Sequence, residues 1–342
     1  MRRTARTAWS PRCSTRTSSA RTGTPSTSRS SAAMQLQRLL RALAAACALA
    51  VASHAADKLR VVTTLPDLAD IARRIGGERV EVTALIKGTE NLHAVVAKPS
   101  MLVALSRADV YVQVGLSLES SWAPGLLESA RNAALAPGKP GFVNGSDGWE
   151  ALDVPADLSR KGGDLHPQGN PHLNLSPRGG RHLAARILAG LVANDPAGRA
   201  AYEKAHAAYA VELDAAEARW KEAAQKLRGV AVATYHQEFE YLARETGIEI
   251  VGHVELKPGV PPTPAHIVEL VDALRAKQAR LVLTAAWSNN RQVAQVAEQT
   301  GARVVELPVA VSSAKGADTW IGMMDQIHAR LVDALAQPPR PR

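Results

Sequence analysis

Cysteine is almost missing from this chain of 342 residues: Cys13 and Cys47 are the two present, and both lie in the first 56 positions. Beyond residue 56 there is no disulfide, no thiolate nucleophile and no cysteine-bound metal. A metal site in that region must be built from His, Asp, Glu, Asn or water. Acidic residues are missing from the start. Residues 1–56 carry nine Arg, no Lys and no acid, and the first carboxylate is Asp57. The whole chain has 41 Lys+Arg against 32 Asp+Glu, a net charge of +9. Without the nine leading arginines the two signs balance. The rest of the chain has no bulk electrostatic pull toward phosphate, and no nucleic-acid partner is expected.

The leading segment reads as processing, not fold. Residues 1–33 are Ser, Thr and Arg with a few small residues and no apolar period, so they read as disordered or as a mis-assigned start ahead of Met34. From Met34 a basic stretch with Arg38 and Arg41 precedes an apolar run, Leu43–Ala52, and then Ser53-His54-Ala55-Ala56. That order is a secretory signal peptide over 34–56. The run is too short to span a bilayer. Cys47 sits within it, preceded by three alanines, which disfavours a lipid-anchored cysteine. No later stretch is apolar enough to span a membrane. The expected product is exported, and it is long enough for two ordinary domains.

Several kinds of chemistry lack their motifs. There is no Gly-x-Ser-x-Gly, no His-x-x-x-His and no phosphate-binding glycine loop; Gly76-Gly77 and Gly162-Gly163 have neither the spacing nor the flanks. What is present is an alternation of apolar β-branched runs with helical spacing. Strands are expected at 59–63, 80–86, 110–114, 230–234, 248–251, 281–284 and 304–307. Helices are expected at 66–75, 99–106, 237–246, 264–276, 290–300 and 319–335. The pattern predicts mostly parallel α/β sheets. Residues 136–180, rich in Gly, Pro, Asn and Asp, read as loops with short elements. Residues 196–228 lack internal Pro and are dominated by Ala, Glu, Lys, Arg and Leu. Asp195-Pro196 opens this segment as a cap and first-turn pair, and Gly229 stops it. It reads as one long helix, either a rigid connector between two halves or an ordinary surface helix. The tail 337–342 reads as loose.

Histidines narrow the search. Of the nine beyond residue 56, three sit in loops past strands: His93, His172 and His236. Ligands of open α/β sheets bind beyond the carboxyl ends of strands, and neutral imidazole suits Zn²⁺ and its neighbours. His206, His266 and His328 fall in expected helices, and His182 opens one; a solvated face or helix end is the plainer reading for these.

Taken in order, several stretches are similar to one family. These are LRVVTTLPDLADIARRIGG, GTENLHAVVAKPSMLVALSRADVYVQVGLSLESSW, GNPHLNLSP, DPAGRAAYEKAHAAY, ATYHQEFEYLARETGIEI, ELKPGVPPTPAHIVELVDALR and TGARVVELP. The sequence resembles the periplasmic metal-binding (ZnuA/TroA-like) solute-binding proteins of zinc and manganese ABC importers, over nearly all of residues 58–336. The resemblance implies two α/β lobes, 57–195 and 229–342, joined by a stiff helix at 196–228, with metal in the cleft between them. It implies His93 and His172 as first-lobe ligands and His236 as the second-lobe ligand. The family's fourth ligand, an Asp after the strand at 304–307, has no counterpart in Leu307-Pro308-Val309-Ala310-Val311. Glu255 is the candidate substitute, with a supporting role, for instance to Arg291, as the plainer reading. Asn170, Asn174 and Ser176 also replace residues common in the family. The His-rich loop of many zinc-specific members is reduced to His166, so it cannot serve as a metal-gathering tail.

The function expected is capture of Zn²⁺, with Mn²⁺ or Fe²⁺ as alternatives, and delivery to the permease of an inner-membrane ABC importer by a periplasmic monomer that is not an enzyme. The second reading is a secreted three-histidine zinc hydrolase or lyase, with Glu255 or Glu238 as its acid/base. A third, an adhesin, has only export in its favour.

Overall fold

The β-branched run Leu59–Thr63 forms β1, the inner strand of a four-stranded parallel sheet with β2 (Val80–Ala84), β3 (Val110–Gln113) and β4 (Phe142–Asn144), in the order β2-β1-β3-β4. The computed structural model describes residues 58–156, 166–257, 259–288 and 291–338. The processing segments expected at 1–33 and 34–56 lie outside these. No helix among the described residues is long and apolar enough to cross a membrane. Four helices accompany the first sheet: α1 (Pro66–Gly76), α2 (Pro99–Arg107), α3 (Ala123–Ala130) and α4 (Pro177–Asn194). Each has Pro in its first turn, where the missing N–H is not needed. Ser176 caps α4 through its hydroxyl, which accepts from Gly179 N at 3.0 Å.

The same plan recurs in the second half. Strands β5 (Ala231–Thr234), β6 (Glu249–His253), β7 (Leu281–Ala285) and β8 (Arg303–Leu307) form a parallel sheet in the order β6-β5-β7-β8. Its helices are α6 (Glu240–Thr246), α7 (Pro264–Ala276), α8 (Arg291–Thr300) and α9 (Trp320–Ala336). β5 and β7 are buried along their whole length, as parallel strands covered on both faces should be. The protein is two α/β lobes.

Residues 136–180, expected as loops with short elements, hold β4, a 3-10 turn at Leu173–Leu175 and the start of α4. Two expectations are corrected. The strand expected to run to Ile86 ends at Ala84, although Leu85 N still donates to Thr63 O. The helix expected from Gln237 begins at Glu240. The carbonyls of His236 and Gln237 are taken by Thr234 Oγ1 and Asn170 Nδ2, so they do not start a helical ladder.

Between the sheets runs α5 (Arg199–Leu227), 29 residues and about 44 Å long. It follows a 3-10 turn, Pro196–Gly198, whose Gly198 N donates to the Asp195 carboxylate. Tyr202, Tyr209, Leu213, Ala216, Trp220 and Leu227 make one buried stripe. That stripe lies on α1 and α4 of the first lobe and on α9 of the second, so the helix is a spine shared by both halves.

Direct bonds also cross between lobes. Trp320, fully buried, donates its backbone N–H to Asp70 Oδ2 (2.8 Å) and its indole N–H to Asn174 O (2.9 Å). Its ring lies against Gly180, where a Cβ would come within 2.1 Å of the indole. Asp67, also fully buried, accepts from Val311 N (3.0 Å) and Asn174 Nδ2 (3.2 Å). Burial raises the Asp67 pKa to about 6, against the lowering effect of those bonds.

The sign of the resulting pH effect follows from proton binding. With its folded pKa above the unfolded 3.8, Asp67 holds more proton when folded, so this group's contribution to stability falls as pH rises from about 4 to about 6. The expected size is about 2–3 kcal/mol. Urea denaturation of Asp67→Asn across this range is expected to lack that slope; an unchanged slope refutes the assignment.

Candidate metal centre

In each sheet the strand order reverses beside the first strand, between β1 and β3 and between β5 and β7. The carboxyl ends flanking such a switch are where open α/β sheets place ligands. His93 lies in the loop after β2, His236 two residues after β5, and Glu255 two residues after β6. His172 comes from the long connection between β4 and α4.

Each histidine is held by its own local chemistry. His93 N donates to Asn91 Oδ1 (2.9 Å), an Asx turn, and the loop is anchored by Ser121 Oγ to His93 O and Trp122 Nε1 to Leu92 O. His172 N donates to Asn170 Oδ1 (3.0 Å), and Asn170 is tied across the cleft by Nδ2 to Gln237 O (3.0 Å). Tyr241 OH donates to Asn170 O (2.8 Å). His236 leaves β5 through a tight turn in which Glu238 N donates to His236 O.

These loops bring the three imidazoles together. Ring centres are 5.1 Å apart for His93–His172, 5.0 Å for His93–His236 and 5.4 Å for His172–His236. One nitrogen from each lies within 4.8 Å of the other two. His93 Nε2 and His172 Nε2 are buried and have no hydrogen-bond partner. Burial pushes both imidazoles well below their ordinary pKa, and the neighbouring rings push in the same direction. They are neutral, and their Nε2 atoms are left without partners beside one another.

Glu255 Oε2 lies 2.7 Å from His236 Nδ1. Facing a carboxylate, Nδ1 is the nitrogen that donates, which leaves Nε2 as the one free to face the cluster. The expected partner Arg291 is thus replaced by His236. A carboxylate behind an imidazole is the arrangement that orients metal-binding histidines. The segment after β8 offers no carboxylate: Val309, Ala310 and Val311 are buried, and Val311 N is used by Asp67.

Two neighbours were not anticipated in the sequence. The His166 ring centre is 5.2 Å from His93 and 6.4 Å from His172. With His93, His236, Glu255, Asn91, Gly259 and Trp287 it lines a cavity of about 70 Å³. The signal was its place in HPQGNPH, six residues before His172 across a Pro/Gly turn. His253, at the end of β6, bonds Thr234 Oγ1 through Nδ1 (2.7 Å), and burial lowers its pKa to about 4. His182, His206, His266 and His328 lie on helices outside this cluster.

Comparison with known proteins bears on the family and the fold. The family model described as ZnuA, zinc-uptake complex component A, periplasmic, matches residues 61–334. The metal ABC transporter substrate-binding lipoprotein FimA of Streptococcus parasanguinis is 26% identical over 298 residues, 85% of this chain and 94% of its own. The manganese ABC transporter substrate-binding lipoprotein PsaA of Streptococcus pneumoniae is 26% identical, over 78% and 86%. The iron-binding protein YfeA of Yersinia pestis is 25% identical, over 73% and 77%. Among solved structures, a zinc-bound ZnuA deletion mutant superimposes with a TM-score of 0.70 at 25% identity, covering 82% of this chain and all of that one. A manganese-bound periplasmic metal-binding protein of Candidatus Liberibacter asiaticus shares the fold, with a TM-score of 0.68 at 21% identity, over 81% and 100%.

The depressed pKa values of His93 and His172 have a consequence for the metal-free protein. Folded, these rings refuse protons that the unfolded chain takes up below its ordinary value of 6.5. Their contribution is therefore complete above that pH and is lost as pH falls below it. Denaturation of metal-free protein between pH 7 and pH 5 should show this loss, and His172→Gln should make it shallower. An equal slope in the variant contradicts the reading.

Proposed function

The chain belongs to the ZnuA family of periplasmic metal-binding components, and from that membership and the imidazole cluster we propose that it captures one divalent transition-metal ion for an ABC importer. The observation that carries the reading is the convergence of three imidazoles, two of them with buried, unpartnered Nε2 atoms. Buried polar nitrogens without partners are costly, and a shared cation satisfies them together. His93, His172 and His236 are the ligands, and Glu255 orients His236.

The ion proposed first is Zn²⁺, with Mn²⁺ and Fe²⁺ as alternatives. Three nitrogen donors suit tetrahedral zinc, while Mn²⁺ favours more oxygen. The relatives are named for manganese, iron and zinc alike, so the donor set is the stronger guide. The proposed route is export by the 34–56 segment to the periplasm, capture there as a monomer, and hand-over to the inner-membrane permease. The ion is cargo, and no catalysis is proposed. A hydrolase would need a carboxylate free to work on metal-bound water. Glu255 is committed to His236. Glu238 is fully buried, its pKa pushed well above the usual carboxylate range by burial and by Glu240 and Glu255.

Calorimetric titration of metal-stripped protein with Zn²⁺ tests the proposal. One tight site is expected, lost in His93→Ala, His172→Ala and His236→Ala. Glu255→Gln is expected to weaken binding about 10–100-fold. Failure of the unaltered protein to bind any transition metal, or full affinity in the three alanine variants, rejects it.

A further inference from the structure

We propose that His166 is the fourth protein ligand of the captured ion, replacing the carboxylate absent after β8, and that the resulting four-imidazole site selects Zn²⁺ against Mn²⁺. This rests on the reading of His93, His172 and His236 as ligands.

The first support is distance. An imidazole bound to zinc at about 2.1 Å has its ring centre about 3.2 Å from the ion, so tetrahedral ligands hold their ring centres about 5.2 Å apart. His166 lies 5.2 Å from His93, matching the 5.0 and 5.1 Å of the other two pairs with His93. Its 6.4 Å from His172 is longer, and its nitrogens lie outside the group in which one nitrogen of each ring is within 4.8 Å of the other two, so binding of the ion requires the His166 ring to move inward.

The second support is direction. His166 lines the same cavity of about 70 Å³ as His93 and His236. It also lines a second, smaller cavity with His236 and Asp153. Its ring therefore forms part of the wall around the imidazole cluster.

The third support is the turn that carries it. Gly169 N donates to His166 O (3.0 Å), with Gly169 at φ +101°. A side chain at 169 would strike Ala151 Cβ and Leu152 O at 2.7 Å, so the turn requires glycine. Asn170 follows directly, its N–H bonded to Leu152 O (2.7 Å). His166 and His172 thus leave one fixed turn and return to one site.

Glu255 holds His236, Asn91 Oδ1 accepts from His93 N, and residues 309–311 carry no oxygen-bearing side chain. A site of imidazoles alone favours zinc, because Mn²⁺ is best held by carboxylates and water.

The test uses the metal-stripped full chain, Zn²⁺ and Mn²⁺ titrations, and the visible spectrum of the Co²⁺ form, which reports the ligands directly. His166→Ala is expected to keep metal-free thermal stability and weaken Zn²⁺ by at least about tenfold. Its Co²⁺ spectrum should change as water replaces imidazole. His166→Asp should recover much of the affinity while narrowing the preference for Zn²⁺ over Mn²⁺. If His166→Ala keeps full Zn²⁺ affinity and an unchanged Co²⁺ spectrum while His93→Ala loses binding, the fourth-ligand inference is overturned and the three-histidine site stands. If His93→Ala also binds normally, both fall.

Discussion

Desolvation of the imidazole cluster is the constraint around which the rest is arranged. His172 is 1% exposed, and its Nε2, like that of His93, is buried without a partner. Left alone, such nitrogens destabilise the fold by roughly 1–3 kcal/mol each. They remain because neighbouring structure leaves them no other arrangement. Asx-type bonds from Asn91 and Asn170 fix the backbone under two of the rings, and Glu255 fixes the third. The metal-free site is thereby preorganised: its nitrogens are already gathered within 4.8 Å of one another, two of them buried. An arriving cation has little ordering to impose, which is how rigid ligand sets gain affinity.

A site drawn from two lobes works only if the lobes keep their spacing. Here the spacing is set behind the site. The buried stripe of α5 packs on both halves. Its Trp220 donates to Asp325 of α9 (2.8 Å) and stacks on His328, with ring centres 5.5 Å apart. Nearer the site, the α1 carboxylates Asp67 and Asp70 receive N–H groups from Val311 and Trp320 of the second lobe. Breaking these bonds would strand buried charge and open a core tryptophan to water, so wide hinge motion is strongly disfavoured. The geometry supports small side-chain adjustments, such as movement of the His166 ring, against a stiff frame.

Much of this frame was legible in the sequence because it is written locally. Proline at first turns, β-branched runs and the uninterrupted Ala/Glu/Lys/Arg segment place β1, α1, α2, α5 and α7 to within a few residues. The resemblance and the position of His93, His172 and His236 past strands pointed to the residues the fold brings together. What stayed hidden is non-local. The Asp67–Val311 bond joins residues 244 apart, and nothing near Asp67 announces that it will be buried. Glu255 reaches His236 across 19 residues because β5 and β6 are neighbours in the sheet. Residues 136–180 concealed β4 and the start of α4 because their Gly and Pro serve caps and turns, and these obscure periodicity. His166 was set aside as a lone loop histidine; only the turn centred on Gly169 returns it to the cluster.

Charge explains why losing the usual carboxylate need not abolish capture. On the proposed reading, a divalent ion among the three imidazoles would have one carboxylate, Glu255, in hydrogen-bond contact with His236. Behind it, Glu238 and Glu240 are buried, with pKa values raised by burial, that of Glu240 to about 8. The His253 ring sits 3.6 Å from Glu240 Oε1. In the metal-free state these carboxyls are held toward the neutral form. A cation nearby favours their ionised form by direct attraction. The second lobe thus holds carboxyls able to ionise behind the His236–Glu255 pair. A fixed anion in direct contact would favour an oxygen-seeking ion; charge placed behind nitrogen donors offsets the cation while leaving the choice of metal to the imidazoles.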